Sequence, residues 1–177
     1  TCALPILILT FRTVCNTFRA SSSFHCKAPS NRFKGGRHLN NSIIADYYEP
    51  LLTDNHFIPV DSNNRFNSAG QCWRLSPEFG EGLYWVYAKK DLYDIKIHDF
   101  YFHEDFFMEF NLPEALSITQ YESISGEELN PYRRMSAGCI KAFIGGYKPY
   151  KALIHKKIPI RSIGIEVMPA YYEDYLQ

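Results

Sequence analysis

Beyond residue 80 the chain settles into short runs in which apolar and polar residues alternate. That period of two belongs to extended strands. Runs at 83–88, 92–102, 116–124, 138–144, 152–156 and 160–167 carry the signature. In Ile163-Gly164-Ile165-Glu166-Val167 the apolar residues share one face, and Tyr93, Ile95 and Ile97 do the same. Turn residues separate the runs: Lys89-Lys90-Asp91, Gly126 after Ile124, and Gly145-Gly146 ahead of Pro149. Short strands at this spacing, with no helices between them, predict an all-β sandwich or barrel.

The flanks follow other patterns. Residues 43–52 predict a short helix that Pro50 disrupts. Residues 55–67, with Pro59 and Asn63-Asn64, predict a polar loop rich in turns. After Pro169, the residues Tyr171, Tyr172, Tyr175 and Leu176 recur at helical spacing and open an amphipathic helix. That helix is expected to be truncated at Gln177, with more protein following it.

Composition changes the picture in one place. The 177 residues carry no net charge, but the balance is uneven. Residues 1–45 hold six Lys or Arg and no acid, whereas the remainder holds 13 basic and 19 acidic residues, a net of −6. An acidic body is a poor surface for a phosphate backbone, so the chain itself is expected to bind nucleic acid weakly. The apolar run from Ala3 to Leu9 is too short to span a bilayer, and no membrane partner is expected. It also lacks the charge before it and the cleavage site after it that mark a secretory signal. The acid-free stretch has the composition of a mitochondrial transit peptide. The better reading is that Thr1–Ile6 resembles a translated sequencing adapter, and there is no initiator Met. We therefore expect residues 1–40 to be artefactual or disordered, residues 41–169 to form the working domain, and residues 170–177 to begin a linker or dimerisation helix.

Five cysteines, none in a C-x-x-C spacing, support neither a disulfide framework nor a zinc site and fit a reducing cytoplasm. The 46% hydrophobic and 21% charged content is that of a globular domain. The 13 Tyr, 13 Phe and 2 Trp suit either a core or a ligand pocket.

Several blocks in order resemble the sensor domain of bacterial AraC/XylS-type transcription regulators. They are Ile97-His98-Asp99-Phe100, then 102–110 (FHEDFFMEF), Tyr121-Glu122-Ser123-Ile124-Ser125-Gly126-Glu127-Glu128-Leu129 and Pro131-Tyr132-Arg133-Arg134. The stretch 154–166 (IHKKIPIRSIGIE) follows, leading into Pro169 and Tyr171-Tyr172-Glu173-Asp174-Tyr175-Leu176. The likeness runs from about Ile44 to the end. It implies a mainly β, cupin-like β-roll or barrel with a short, truncated C-terminal helix. In that family, helices for dimerisation and two helix-turn-helix units for DNA follow the roll. Those units have no counterpart here, so DNA would be reached only through a C-terminal domain this chain does not contain.

His98 and His103, with Asp99, Glu104 and Asp105, are the obvious metal or acid–base candidates. A spacing of five puts the two imidazoles on opposite faces of a strand, so no metal site is expected. His98 is kept as a ligand contact. Trp85 and Tyr87 share a strand face and offer flat surfaces with polar handles, suited to a ligand or to plain core packing. Glu122, sharing a face with Ile118 and Ile124, would either hold a ligand hydroxyl or ammonium, or pair with Arg133 or Arg134. Glu166 reads as a solvated-face residue, and His155 as a solvated strand end. Gly80-Glu81-Gly82 and Gly145-Gly146 lack the context of phosphate loops. No nucleophile–base arrangement stands out, so no catalysis and no cofactor are expected.

The expected function is effector sensing by a cytoplasmic homodimer, with a small molecule contacting Trp85, Tyr87, His98 and Glu122. The alternatives are a cupin-type isomerase or dioxygenase, against which the missing His-x-His counts, and a ligand-free dimerisation domain.

Overall fold

The computed structural model describes residues 44–61, 70–89 and 92–171. The expectations for residues 1–40, and for most of the closing helix, fall outside the described residues; 169–171 are helical. A π-helical turn (Ile44–Tyr48) runs into a short α-helix, α1 (Glu49–Asp54). Pro50 lies in the first turn of α1. The helical run passes from π to α winding just before it and continues to Asp54, so the proline does not end the run.

Among the described residues eleven strands follow: β1 (Phe57–Val60), β2 (Gln71–Leu75), β3 (Gly80–Lys89), β4 (Tyr93–Phe102), β5 (Phe106–Phe110), β6 (Leu116–Ser123), β7 (Ser125–Leu129), β8 (Tyr132–Ser136), β9 (Ile140–Ile144), β10 (Tyr150–Ile154) and β11 (Ile160–Val167). They form two antiparallel sheets, one ordered β1-β2-β3-β4-β11-β6-β9 and the other β5-β10-β7-β8. The architecture is mainly β and roll-like. Among the described residues the two sheets do not join into a closed barrel. No described helix is long and apolar enough to cross a membrane.

The six expected runs correspond to β3, β4, β6, β9, β10 and β11. The pattern missed the other five strands, three of them (β1, β7 and β8) for physical reasons. β1 contains Pro59, which a sheet tolerates because β1 is its edge. β7 and β8 form a charged hairpin in which Glu127 faces Arg134 and Glu128 faces Arg133. Its sequence offers no apolar alternation, and the Glu128 carboxylate is ion-paired with Lys141 of β9. Gly126, expected as a break, lies inside β7 because a Cβ there would meet the Leu153 carbonyl oxygen at 2.5 Å.

The core sits between the sheets. Tyr48 and Leu52 from the helical entry pack with Phe57, Trp73, Tyr84, Val86 and Phe100 of the larger sheet. Met135, Ala152 and Ile154 close it from the smaller sheet, with Ile124 at the junction of β6 and β7. Strand parity then decides which residues enter this space. On β3 the buried residues are Tyr84, Val86 and Ala88, so Trp85 and Tyr87 belong to the opposite face.

Candidate functional site

The inward face of the larger sheet changes character at its centre. On β4 the residues in phase with the core are Asp94, Lys96, His98, Phe100 and Phe102. On β11 they are Ser162, Gly164 and Glu166, and on β6 Ser117, Thr119 and Tyr121. Three adjacent strands thus turn polar side chains inward. The isoleucines of the same strands (Ile95, Ile97, Ile163, Ile165, Ile118) take the other face.

Of these, Lys96, His98, Ser117, Thr119, Tyr121 and Glu166 line one end of a cavity of about 120 Å³. Its other walls are aromatic and aliphatic, including Phe57, Phe100, Phe110, Phe143, Tyr150 and Met108. At the polar end the Lys96 ammonium is ion-paired with Glu166, which is only 1% exposed. Tyr48 donates its hydroxyl to the other Glu166 oxygen at 3.0 Å. Gly164 makes the pair possible: a Cβ there would lie 3.0 Å from Lys96 Cε and Cγ, so a side chain would obstruct the lysine's path.

Electrostatics follow from burial. Burial alone would raise the Glu166 carboxyl, but the Lys96 charge and the hydrogen bonds from Lys96 and Tyr48 hold it below its ordinary value. Asp94, opposite Glu166 across the β4–β11 ladder, is 0% exposed, and neither carboxylate oxygen has a donor in hydrogen-bonding geometry. Burial first, and the Glu166 charge second, push its pKa up to about 8, with Lys96 opposing. The pair Lys96–Glu166 is therefore closed in charge, and Asp94 is largely protonated at neutral pH. Tyr48 and Tyr84 are held in the phenol form well above the usual range, by burial and then by the neighbouring Glu166 charge.

His98 stands where these groups meet the aromatic wall. Its Nδ1 is 2.7 Å from the Ser162 hydroxyl and its ring lies 4.5 Å from that of Tyr84. Burial, reinforced by Lys96, lowers its pKa to about 3, so the ring is neutral. Its Nε2 is buried and has no hydrogen-bond partner. One open valence thus remains on a cavity-lining imidazole.

Of the four residues expected to contact a ligand, only His98 lines the cavity. Trp85 and Tyr87 lie half-buried on the far face of β3, a reversal of the expected direction. Trp85 sits opposite Cys72 and Ile97 and packs against Gly70, where a Cβ would meet its ring at 2.5 Å. Glu122 is exposed. Tyr121 pairs with Ser162 and Ser123 with Arg161, which leaves Glu122 as the extra residue of a β-bulge. A bulge inverts parity beyond it, so Ile118 faces away from the cavity while Ile124 lines it. The assignment of Glu166 to a solvated face is likewise overturned by its burial.

His103 is remote from His98 in role: its Nε2 is 3.2 Å from the Pro77 carbonyl oxygen beyond the end of β4. Glu104 pairs with Lys156 at 2.8 Å, Asp105 accepts the Lys156 amide, and Asp99 pairs with Arg161 at 3.3 Å, all towards solvent. His155 is half-buried and lies 2.8 Å from the Ser125 hydroxyl. Among the described residues no group of three His, Cys, Asp or Glu side chains could hold a metal ion.

Sequence reasoning missed Lys96 and Glu166. The signal was present in phase: Asp94, Lys96 and His98 alternate with Ile95 and Ile97, and on such a strand either face can be the inner one. The chain matches no protein-family model, and no curated protein is similar to it.

Proposed function

We propose that this chain is the effector-sensing and dimerisation domain of an AraC-type transcription regulator, acting in the cytoplasm. The effector is a small molecule held between the two sheets, and its binding shifts the geometry or strength of a homodimer. The observation that carries the reading is the inward polar face of β4, β11 and β6. Ile97, Ile163 and Ile165 are buried on the other face, so both faces of these strands are covered, and the inward one nonetheless carries Asp94, Lys96 and Glu166. Burying charge costs stability unless it is paired. A cavity lined by Lys96, Glu166 and an unpartnered imidazole nitrogen is what a ligand pocket needs. The resemblance of the sequence blocks to AraC-type sensor domains points the same way, and a mainly β roll is compatible with it. DNA is contacted, on this reading, by a further domain of the intact protein.

Sedimentation equilibrium tests the proposal. The chain is run alone and with monosaccharides, aromatic alcohols, aromatic carboxylates and amines in turn. A dimer is expected, with its association constant changed by at least one compound. The same compound should leave the Lys96→Met/Glu166→Leu protein unaffected. A monomer, or an association constant that no compound alters, would contradict the reading.

A further inference from the structure

The cavity's polar end is specific about charge. Both formal charges that reach it, the Lys96 ammonium and the Glu166 carboxylate, already neutralise each other, and Tyr48 occupies the second Glu166 oxygen. A carboxylate brought to Lys96 would sit against Glu166. An ammonium brought to Glu166 would sit against Lys96. Either leaves an uncompensated charge in a buried site, the most costly arrangement available there. What stays open is neutral hydrogen bonding: the remaining Lys96 N–H groups, the unpartnered His98 Nε2 and the Ser117 hydroxyl. Around them stand the rings of Tyr84, Phe100 and Tyr121. The volume of about 120 Å³ is somewhat smaller than the roughly 150 Å³ of a cavity known to admit benzene.

Resting on the sensing reading above, we infer that the ligand is an uncharged, single-ring molecule bearing a hydroxyl or carbonyl, of the phenol class, whose oxygen accepts from Lys96 and bonds His98 Nε2. The ring packs between the aromatic walls and the oxygen completes the unmet valence of His98 Nε2. His98 takes either role towards a hydroxyl, donor or acceptor, according to which nitrogen carries the proton. Burial keeps the imidazole neutral and so preserves that choice.

Calorimetric titration of the whole chain with phenol, benzene, benzoate and benzylamine tests the inference. Phenol is expected to bind about tenfold more tightly than benzene, the effect of one buried hydrogen bond, and to outcompete both charged rings. In His98→Phe the preference for phenol over benzene should fall towards unity. If that variant does not fold, the wild-type ranking decides alone. Benzoate or benzylamine binding more tightly than phenol, or phenol binding no better than benzene, overturns the inference. So does a His98→Phe protein that keeps the full preference. A charged ring that binds and changes self-association would overturn the neutral class while leaving the sensing reading intact; self-association insensitive to every compound would instead defeat that reading.

Discussion

β3 and β4 are neighbours in one sheet, ten residues each and paired along their whole length, yet they use alternation in opposite ways. β3 turns Tyr84, Val86 and Ala88 inward, as a core strand does. β4 turns Asp94, Lys96 and His98 inward at the same level and gives its isoleucines to the other face. The two choices differ in cost. The first buries apolar area and stabilises; the second desolvates charge and must recover the loss through pairing. β3 is scaffold. β4 carries the unusual chemistry, and the lesson is that a clean hydrophobic stripe says a strand is present without saying which side faces the core.

The largest expected effect separates these strands most sharply. Lys96→Met leaves Glu166 buried and unpaired, and should lower stability by about 3–5 kcal/mol in urea denaturation. Lys96→Met/Glu166→Leu removes both charges and should recover most of that loss. If the single variant is neutral, β4 does not hold a desolvated pair.

Next come the aromatics of β3. Tyr84→Ala, on the core side, should cost about 3–5 kcal/mol, and Tyr87→Ala, half-buried on the far face, about 1 kcal/mol. Equal losses in chemical denaturation would erase the distinction between the two faces.

The third effect depends on pH. Asp94 has its folded pKa raised from 3.8 to about 8 by burial and by Glu166, with Lys96, Tyr48 and the nearby Tyr47 and Tyr84 facing the same space. A raised folded pKa contributes stability that is complete below the unfolded value and lost as pH climbs through the folded one. Stability should therefore fall between about pH 4 and pH 8 on account of this residue. Asp94→Asn should remove that slope, gaining about 1–3 kcal/mol over wild type on the alkaline side relative to the acid side. His98 acts in the opposite sense. Its pKa is lowered from 6.5 to about 3, so its contribution is present above the unfolded value and lost as pH drops towards 3. Thermal melts of wild type and Asp94→Asn across this range check both signs.

Smallest of all is Glu122→Ala. An exposed bulge residue should change stability by no more than about 0.5 kcal/mol and leave ligand binding unaltered. A loss of binding would return Glu122 to the site.

Much of the fold was legible in the sequence because most strands alternate and turn residues separate them. The charged hairpin β7–β8 and the proline-bearing edge β1 were not, since neither owes its pairing to an apolar stripe. The site was harder to read. His98 stands out by its chemistry and lines the cavity. The expectation for Trp85, Tyr87 and Glu122 rests on a shared strand face, and parity is ambiguous by one choice of face on β3 and by one extra residue on β6. Glu166 reads as solvated because an isolated acid in an apolar strand usually faces water. Its partner lies 70 residues away, beyond the reach of any local pattern.

The central claim is that the inward polar face of β4, β11 and β6 binds a small molecule. Backbone amide NMR during titration with the compound that alters self-association tests it residue by residue. The account predicts shifts concentrated at Lys96, His98, Ser117, Thr119 and Glu166. Shifts centred instead on Trp85, Tyr87 and Glu122, with the inward face silent, would contradict it.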